Sequence, residues 1–189
     1  MVAKLKNILS EKKPDILRQW IDHILDTYPA ETAKFLREKK NRFTNPVAHS
    51  VSEGAEGIFE NLLQGIDQNK VTVFLDNIIR IRAIQEFTPS QAIAFVFTLK
   101  KIIRNELAKE LRENGLSDEL ALLEHEIDSL GLLAFDIFMR CREKLYDIKA
   151  NEMRHMTFRL LQKANLICEQ PGEEPDAPDS NFVNLNEKR

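Results

Sequence analysis

The segment Arg80–Lys101, RIRAIQEFTPSQAIAFVFTLKK, restricts the fold more than any other part of this 189-residue chain. It ends one helix, turns, and opens the next. Thr88 suits the N-cap, and Pro89 suits the first helical position, where its missing N–H costs nothing. Gln91, three residues after Thr88, completes a capping box. Ile93, Val96, Phe97, Leu99, Lys100 and Ile103 then form a broad apolar stripe. Two amphipathic helices joined by a short turn make an α-hairpin, and the rest of the chain reads the same way.

Residues 3–12 read as a short amphipathic helix with Leu5, Ile8 and Leu9 on one side. Pro14 opens a stronger one, with Ile16, Leu17, Trp20, Ile21, Ile24, Leu25 and Tyr28 at helical spacing, and Pro29 ends it. A short surface helix over 31–40 carries Phe35 and Leu36. Asn45-Pro46 is a further start signal, followed by Val47, Val51, Ala55, Ile58, Leu62 and Leu63. Gly54 and Gly57 interrupt this helix at about 1 kcal/mol each against alanine. They permit close approach of another helix or a ligand, or are simply tolerated. Residues 65–69 read as a loop, 70–86 as a helix and 89–114 as a longer one. Gly115 suits a left-handed C-terminal stop, and Ser117 an N-cap.

Apolar residues then recur from Leu120 to Ile167. That is one helix of about 48 residues, or roughly 70 Å. Gly131 offers a bend. A domain of this size is about 40 Å across, so part of the helix is expected to project or to meet a partner. From Glu169 the chain is acidic and proline-rich, which predicts disorder. The expected organisation is an all-α domain of about six main helices over 1–168, with a long C-terminal helix, and a tail over 169–189.

A net charge of −3 argues against nucleic-acid binding. No run approaches 18 apolar residues, so no membrane span is expected. The basic start lacks an apolar core and a cleavage site, which places the protein in the cytoplasm. Cys141 and Cys168 are too far apart along one helix to pair. They read as partly buried thiols, or less simply as a disulfide between two chains. His23, His49, His125 and His155 show no metal-ligand spacing, and Glu152-Met-Arg-His155 has no second copy for a di-iron bundle. No nucleophile or phosphate-loop motif is present. No catalytic residue and no metal site are expected. Arg80 and Arg82 flank Ile81. They suit an anion or a carboxylate head group, or pair with Glu86 or acids on another helix, and the structural role is preferred.

The helix order resembles a globin. Three phrases, Asn41-Arg-Phe-Thr-Asn-Pro46, Arg82-Ala-Ile-Gln85 and Phe87-Thr-Pro-Ser-Gln-Ala92, resemble the N-terminal domain of the RsbR and RsbRD-type RsbT co-antagonists of the bacterial stressosome. The resemblance covers about residues 10–160. It implies a non-haem, globin-like sensor domain, usually dimeric, whose last helix leads to a STAS output domain phosphorylated by the kinase RsbT. This sequence leaves no room for such a domain after its last helix, so a free-standing sensor or adaptor is expected. No histidine lies between His49 and His125, so the proximal ligand of a haem globin is missing and no haem is expected. Phe74, Ile78, Ile81, Phe95 and Leu99 would fill the former haem space. Alternatively they would line a pocket for a fatty-acid-like ligand, with Arg82 or Arg80 at its head group. The resulting expectation is a non-enzymatic regulatory homodimer with an unidentified downstream partner. Trp20 and Ile24 near the N-terminus, and Leu145, Ile148 and Met156 on the last helix, are its expected interface.

Overall fold

A stripe of large apolar residues holds the first helix, α1 (Ala3–Asp26), against the rest of the chain. Leu5, Leu9, Ile16, Trp20 and Ile24 recur at helical spacing and are fully buried. The stripe runs straight through Pro14, so the two helices expected over 3–12 and from Pro14 are one. A proline inside a helix costs about 3 kcal/mol. Burial of each large apolar side chain contributes about 1.5–3 kcal/mol, so five of them on both sides of Pro14 override the break. The computed structural model describes residues 3–38, 45–85 and 87–164.

Six further helices follow among the described residues, with no strand between them: α2 (Ala30–Glu38), α3 (Pro46–Gln64), α4 (Gln68–Ile84), α5 (Pro89–Glu106), α6 (Ala108–Asn114) and α7 (Ser117–Lys163). Their ends are set by local chemistry. The Asn45 side chain accepts from the Ala48 N–H at 3.0 Å and donates to the Leu36 carbonyl at 2.7 Å, tying α2 to the start of α3. Asp67 caps α4, accepting from the Asn69 N–H at 3.0 Å and the Lys70 N–H at 3.4 Å, so α4 starts two residues before the expected helix. The capping box of α5 is formed from both sides. Gln91 N–H donates to the Thr88 hydroxyl, and Thr88 N–H donates to Gln91 Oε1 at 3.1 Å. Gly115 is left-handed, with φ of 61°. Ser117 is the first residue of α7 rather than its cap, because the Leu116 carbonyl already accepts from Leu120 N–H.

The helix expected over 89–114 breaks at Leu107, whose fully buried side chain points into the core. Lys12 spans the break. It donates to the Glu106 carbonyl at 2.8 Å, at the end of α5, and pairs with Glu110 on α6 at 2.9 Å. A cation on a C-terminal carbonyl complements the helix dipole there.

Within the described residues the chain separates into two units, one up to Tyr146 and one from Asp147. The first holds the core. α7 contributes Leu120, Leu123, Ile127, Leu130, Ala134, Ile137 and Phe138 to it. Arg104 on α5 forms a two-pronged pair with Glu124 of α7, and Lys100 pairs with Asp128 at 2.8 Å. The second unit is described as the rest of α7, whose residues 147–163 include none that is buried. The expected boundary at residue 168, the acidic tail and Cys168 lie outside the described residues.

Candidate functional site

Val71, Leu75, Ile78 and Arg82 lie at helical spacing on the buried side of α4, and that register carries an arginine into the core. Arg82 is fully buried. Nη1 donates to the Gln91 carbonyl at 3.1 Å and reaches the Ala92 carbonyl at 3.5 Å. Nη2 donates to the Ile24 carbonyl at 3.1 Å and the Thr27 hydroxyl at 2.7 Å. The guanidinium carbon lies 5.6 Å from the ring centre of Tyr28, 4.9 Å from Phe87 and 5.2 Å from Phe95. Carbonyl oxygens at the end of α1 carry the negative end of its dipole, and aromatic faces attract cations. Together they offset part of the cost of burying the charge. Burial pushes the guanidinium below its ordinary pKa, an effect that Tyr28 opposes. Two polar atoms here, Arg82 Nε and the Tyr28 hydroxyl, have no partner of hydrogen-bond geometry among the described residues.

This geometry corrects the head-group role of Arg82. Both of its terminal nitrogens donate to protein oxygens, so the side chain is a staple joining α1, α4 and α5. Arg80 points the other way and pairs with Asp76 on its own helix at 2.5 Å. Glu86 lies outside the described residues. The signal for Arg82 was present in the sequence, since it continues the spacing of Leu75 and Ile78.

The apolar residues grouped with Arg82 share the core. Ile78, Phe95 and Leu99 are fully buried, while Phe74 is partly buried and packs against the same cluster. Ile81 is also partly buried. A Cβ on Gly57 would lie 2.4 Å from the Phe74 ring, and one on Gly54 would lie 2.8 Å from Ile78 and 2.9 Å from the Phe74 carbonyl. The two glycines therefore serve the close approach of α4 to α3. An open cleft of about 400 Å³ lies where the start of α3 faces α4, lined by Pro46, His49, Ser50, Glu53 and Asn77. Its lining is polar, and His49 Nε2 is 3.6 Å from Glu53 Oε2. No group of three metal-ligating side chains occurs among the described residues.

Trp20 and Ile24 are not interface residues. Both are fully buried within the chain, and the Trp20 indole N–H donates to the Phe95 carbonyl at 2.7 Å. Leu145 is partly buried, whereas Ile148 and Met156 are exposed. Cys141 is partly buried against the core, and burial raises its thiol pKa, with the Asp76 charge adding to the effect. Among the described residues no helix is long and apolar enough to cross a membrane.

The model of the RsbT co-antagonist protein rsbRD N-terminal domain matches residues 14–153. The chain belongs to this family. The match spans α1 from Pro14 through most of α7 and includes every residue of the Arg82 staple. Membership marks the chain as a regulatory domain of signalling rather than a member of a known enzyme family. The chain is also similar to a protein of Archaeoglobus fulgidus, described as uncharacterized. The two are 23% identical over 142 residues, covering 72% of this chain and 82% of that one. No solved structure matches.

Proposed function

We propose that this rsbRD N-terminal domain is a non-catalytic, globin-like regulatory module without haem, working as a homodimer that signals through protein contacts. The observation that carries this reading is the surface of α7. Tyr146, Ile148, Met153, Met156, Phe158 and Leu160 are large apolar side chains left exposed over fifteen residues of one helix. A surface of that kind marks a protein interaction site. The Arg82 staple supports the non-haem part: α4 places an arginine and no histidine inside the fold. Sedimentation at about 20 μM is expected to show a dimer, and a strict monomer would overturn the reading. Hemin added to the purified protein is expected to give the Soret band of unbound hemin, and a ligated Soret band would remove the non-haem assignment.

A further inference from the structure

The last turns of α7 present a face that is both apolar and basic. Lys149, Met153, Met156, Leu160 and Lys163 follow one another at steps of four and three, so they lie along one side of the helix. Met153, Met156 and Leu160 are 69, 58 and 65% exposed. Arg159 stands at the edge of this face, one turn from Lys163. Residues 147–163 carry four bases, Lys149, Arg154, Arg159 and Lys163, against the acids Asp147 and Glu152. Lys149, Arg159 and Lys163 form no ion pair among the described residues.

Such a face fits an occupant of the opposite pattern: carboxylates for the cations, and a few apolar side chains for methionines that adapt to what covers them. The chain's own continuation has that pattern. Glu169, Glu173, Glu174, Asp176 and Asp179 follow α7 with no lysine or arginine among them, and Phe182, Val183 and Leu185 come next. These residues lie outside the described ones; what they bring is composition and a tether. Pro171-Gly172 is a turn dipeptide. The 18 residues from Ala164 to Phe182 reach at most about 60 Å. The face from Lys163 back to Lys149 is about 21 Å long, so the segment can double back along it.

We infer that this face of α7 is a docking site for the chain's own acidic segment, residues 173–185. Its carboxylates meet Lys163 and Arg159, and Phe182 and Leu185 cover Met153 and Met156. The segment then competes with any partner for the surface proposed above as an interaction site. Only this competition rests on that proposal; the docking does not. The tether makes a weak contact sufficient. A dissociation constant of about 0.5 mM, against an effective concentration of about 1 mM, leaves the face free about a third of the time.

Hydrogen exchange of the α7 amides in the full chain tests the docking, with Glu173→Ser, Glu174→Ser, Asp176→Ser and Asp179→Ser combined. If the segment is undocked, these acids lie beyond the negative end of the α7 dipole, and removing them leaves exchange unchanged or slows it. If it is docked, their removal uncovers the face, and exchange over residues 147–163 is expected to quicken about threefold. Phe182→Ser with Leu185→Ser is expected to do the same at unchanged charge. Unchanged or slower exchange in both variants would overturn the inference. So would protection that depends on chain concentration and not on the segment, since that assigns the face to a second copy. Sedimentation reads the competition. Because both copies must have a free face, the quadruple variant is expected to lower the dimer dissociation constant about tenfold. Faster exchange without tighter association would overturn the competition and leave the docking. A strict monomer in parent and variant alike would overturn the dimer proposed above, while the exchange result still decides the docking.

Discussion

Arg82 Nη2 donates to the Ile24 carbonyl at 3.1 Å, across 58 residues of sequence. The bond fixes the end of α1 to α4, and the Gln91 carbonyl brings in the start of α5. The oxygens involved are not solely dependent on Arg82. Ile24 also accepts from the Thr27 hydroxyl at 2.6 Å and the Thr27 N–H at 3.3 Å. Removing the charge also removes its burial cost, which is several kcal/mol for an ion taken out of water. Volume should therefore matter more than charge. Arg82→Ala, which leaves a cavity, is expected to cost about 3 kcal/mol. Arg82→Met, which refills most of it, is expected to cost about 1 kcal/mol. Urea unfolding measures both, and equal losses would show that hydrogen bonding dominates.

Tyr28 faces the same cation, with a hydroxyl that has no partner of hydrogen-bond geometry among the described residues. Tyr28→Phe should change stability by less than about 0.5 kcal/mol at neutral pH, because the Arg82 guanidinium beside the hydroxyl keeps its bonds to Ile24, Thr27 and Gln91. Alkaline pH separates the two proteins. Burial raises the Tyr28 pKa above its ordinary value of 10.0, despite the opposing pull of Arg82. The folded state thus holds the phenol proton more tightly than the unfolded chain. This contribution is complete below about pH 10 and is lost as pH rises through the folded value. Between pH 8 and pH 11 the urea midpoint of the parent should fall further than that of Tyr28→Phe. Parallel losses would show that Tyr28 titrates as it does in the unfolded chain.

Which parts of the fold were legible in the sequence follows from how local each cause is. The Thr88 box and the Asn45 cap involve residues three apart, so their chemistry could be read directly. The passage of α1 through Pro14 is not local: it depends on the burial of Leu5 and Leu9 before it and Ile16 and Trp20 after it. The destination of Arg82 was non-local: its acceptors come from α1 and α5, and only its register on α4 hinted at burial. The phrases that carried the family resemblance supply Arg82, Phe87, Gln91 and Ala92, so that wording encodes an architectural joint. In α7 two stripes overlap in sequence. The structure separates a core stripe ending near Phe138 from exposed apolar residues that continue to Leu160. Trp20 and Ile24 illustrate the same difficulty, since an apolar helical face does not announce whether its own chain or another covers it.

Gly57 and Gly131 look equivalent in sequence but should respond differently to alanine. At Gly57 the new Cβ would meet the Phe74 ring at its root as well as its edge, between 2.4 and 2.5 Å. That ring is wedged between α3 and α4, so the helices must separate. Gly57→Ala is expected to cost about 1–3 kcal/mol despite alanine's better helix propensity. At Gly131 the obstacle is the far end of Phe97, at 2.3 Å, on a side chain that is 39% exposed and can swing out. Gly131→Ala should lie within about 1 kcal/mol of the parent. Adding Phe74→Leu should recover much of the Gly57→Ala loss in a double-mutant cycle. Additive losses would show that the ring is not the obstacle.

Pro14 offers the last test, because its position inside α1 implies a removable weakness. Its ring faces solvent, so alanine leaves no cavity. Alanine restores a backbone N–H for the Ser10 carbonyl and relieves the clash of the ring with that oxygen, an effect of up to about 3 kcal/mol. Against this, the unfolded chain gains freedom worth about 0.4–1 kcal/mol. The balance favours alanine, and Pro14→Ala is expected to raise the thermal midpoint, with a gain of about 1–2 kcal/mol in urea. The alternative is that a bend at the proline seats both halves of the stripe, Leu5 with Leu9 and Ile16 with Trp20. A loss of stability on Pro14→Ala would establish that, since straightening α1 would pull one half out of the core. Adding Leu9→Ala to both backgrounds separates the two accounts. If the bend seats Leu9, its truncation should cost less in the Pro14→Ala chain than in the parent; if not, the two costs should agree within about 0.5 kcal/mol.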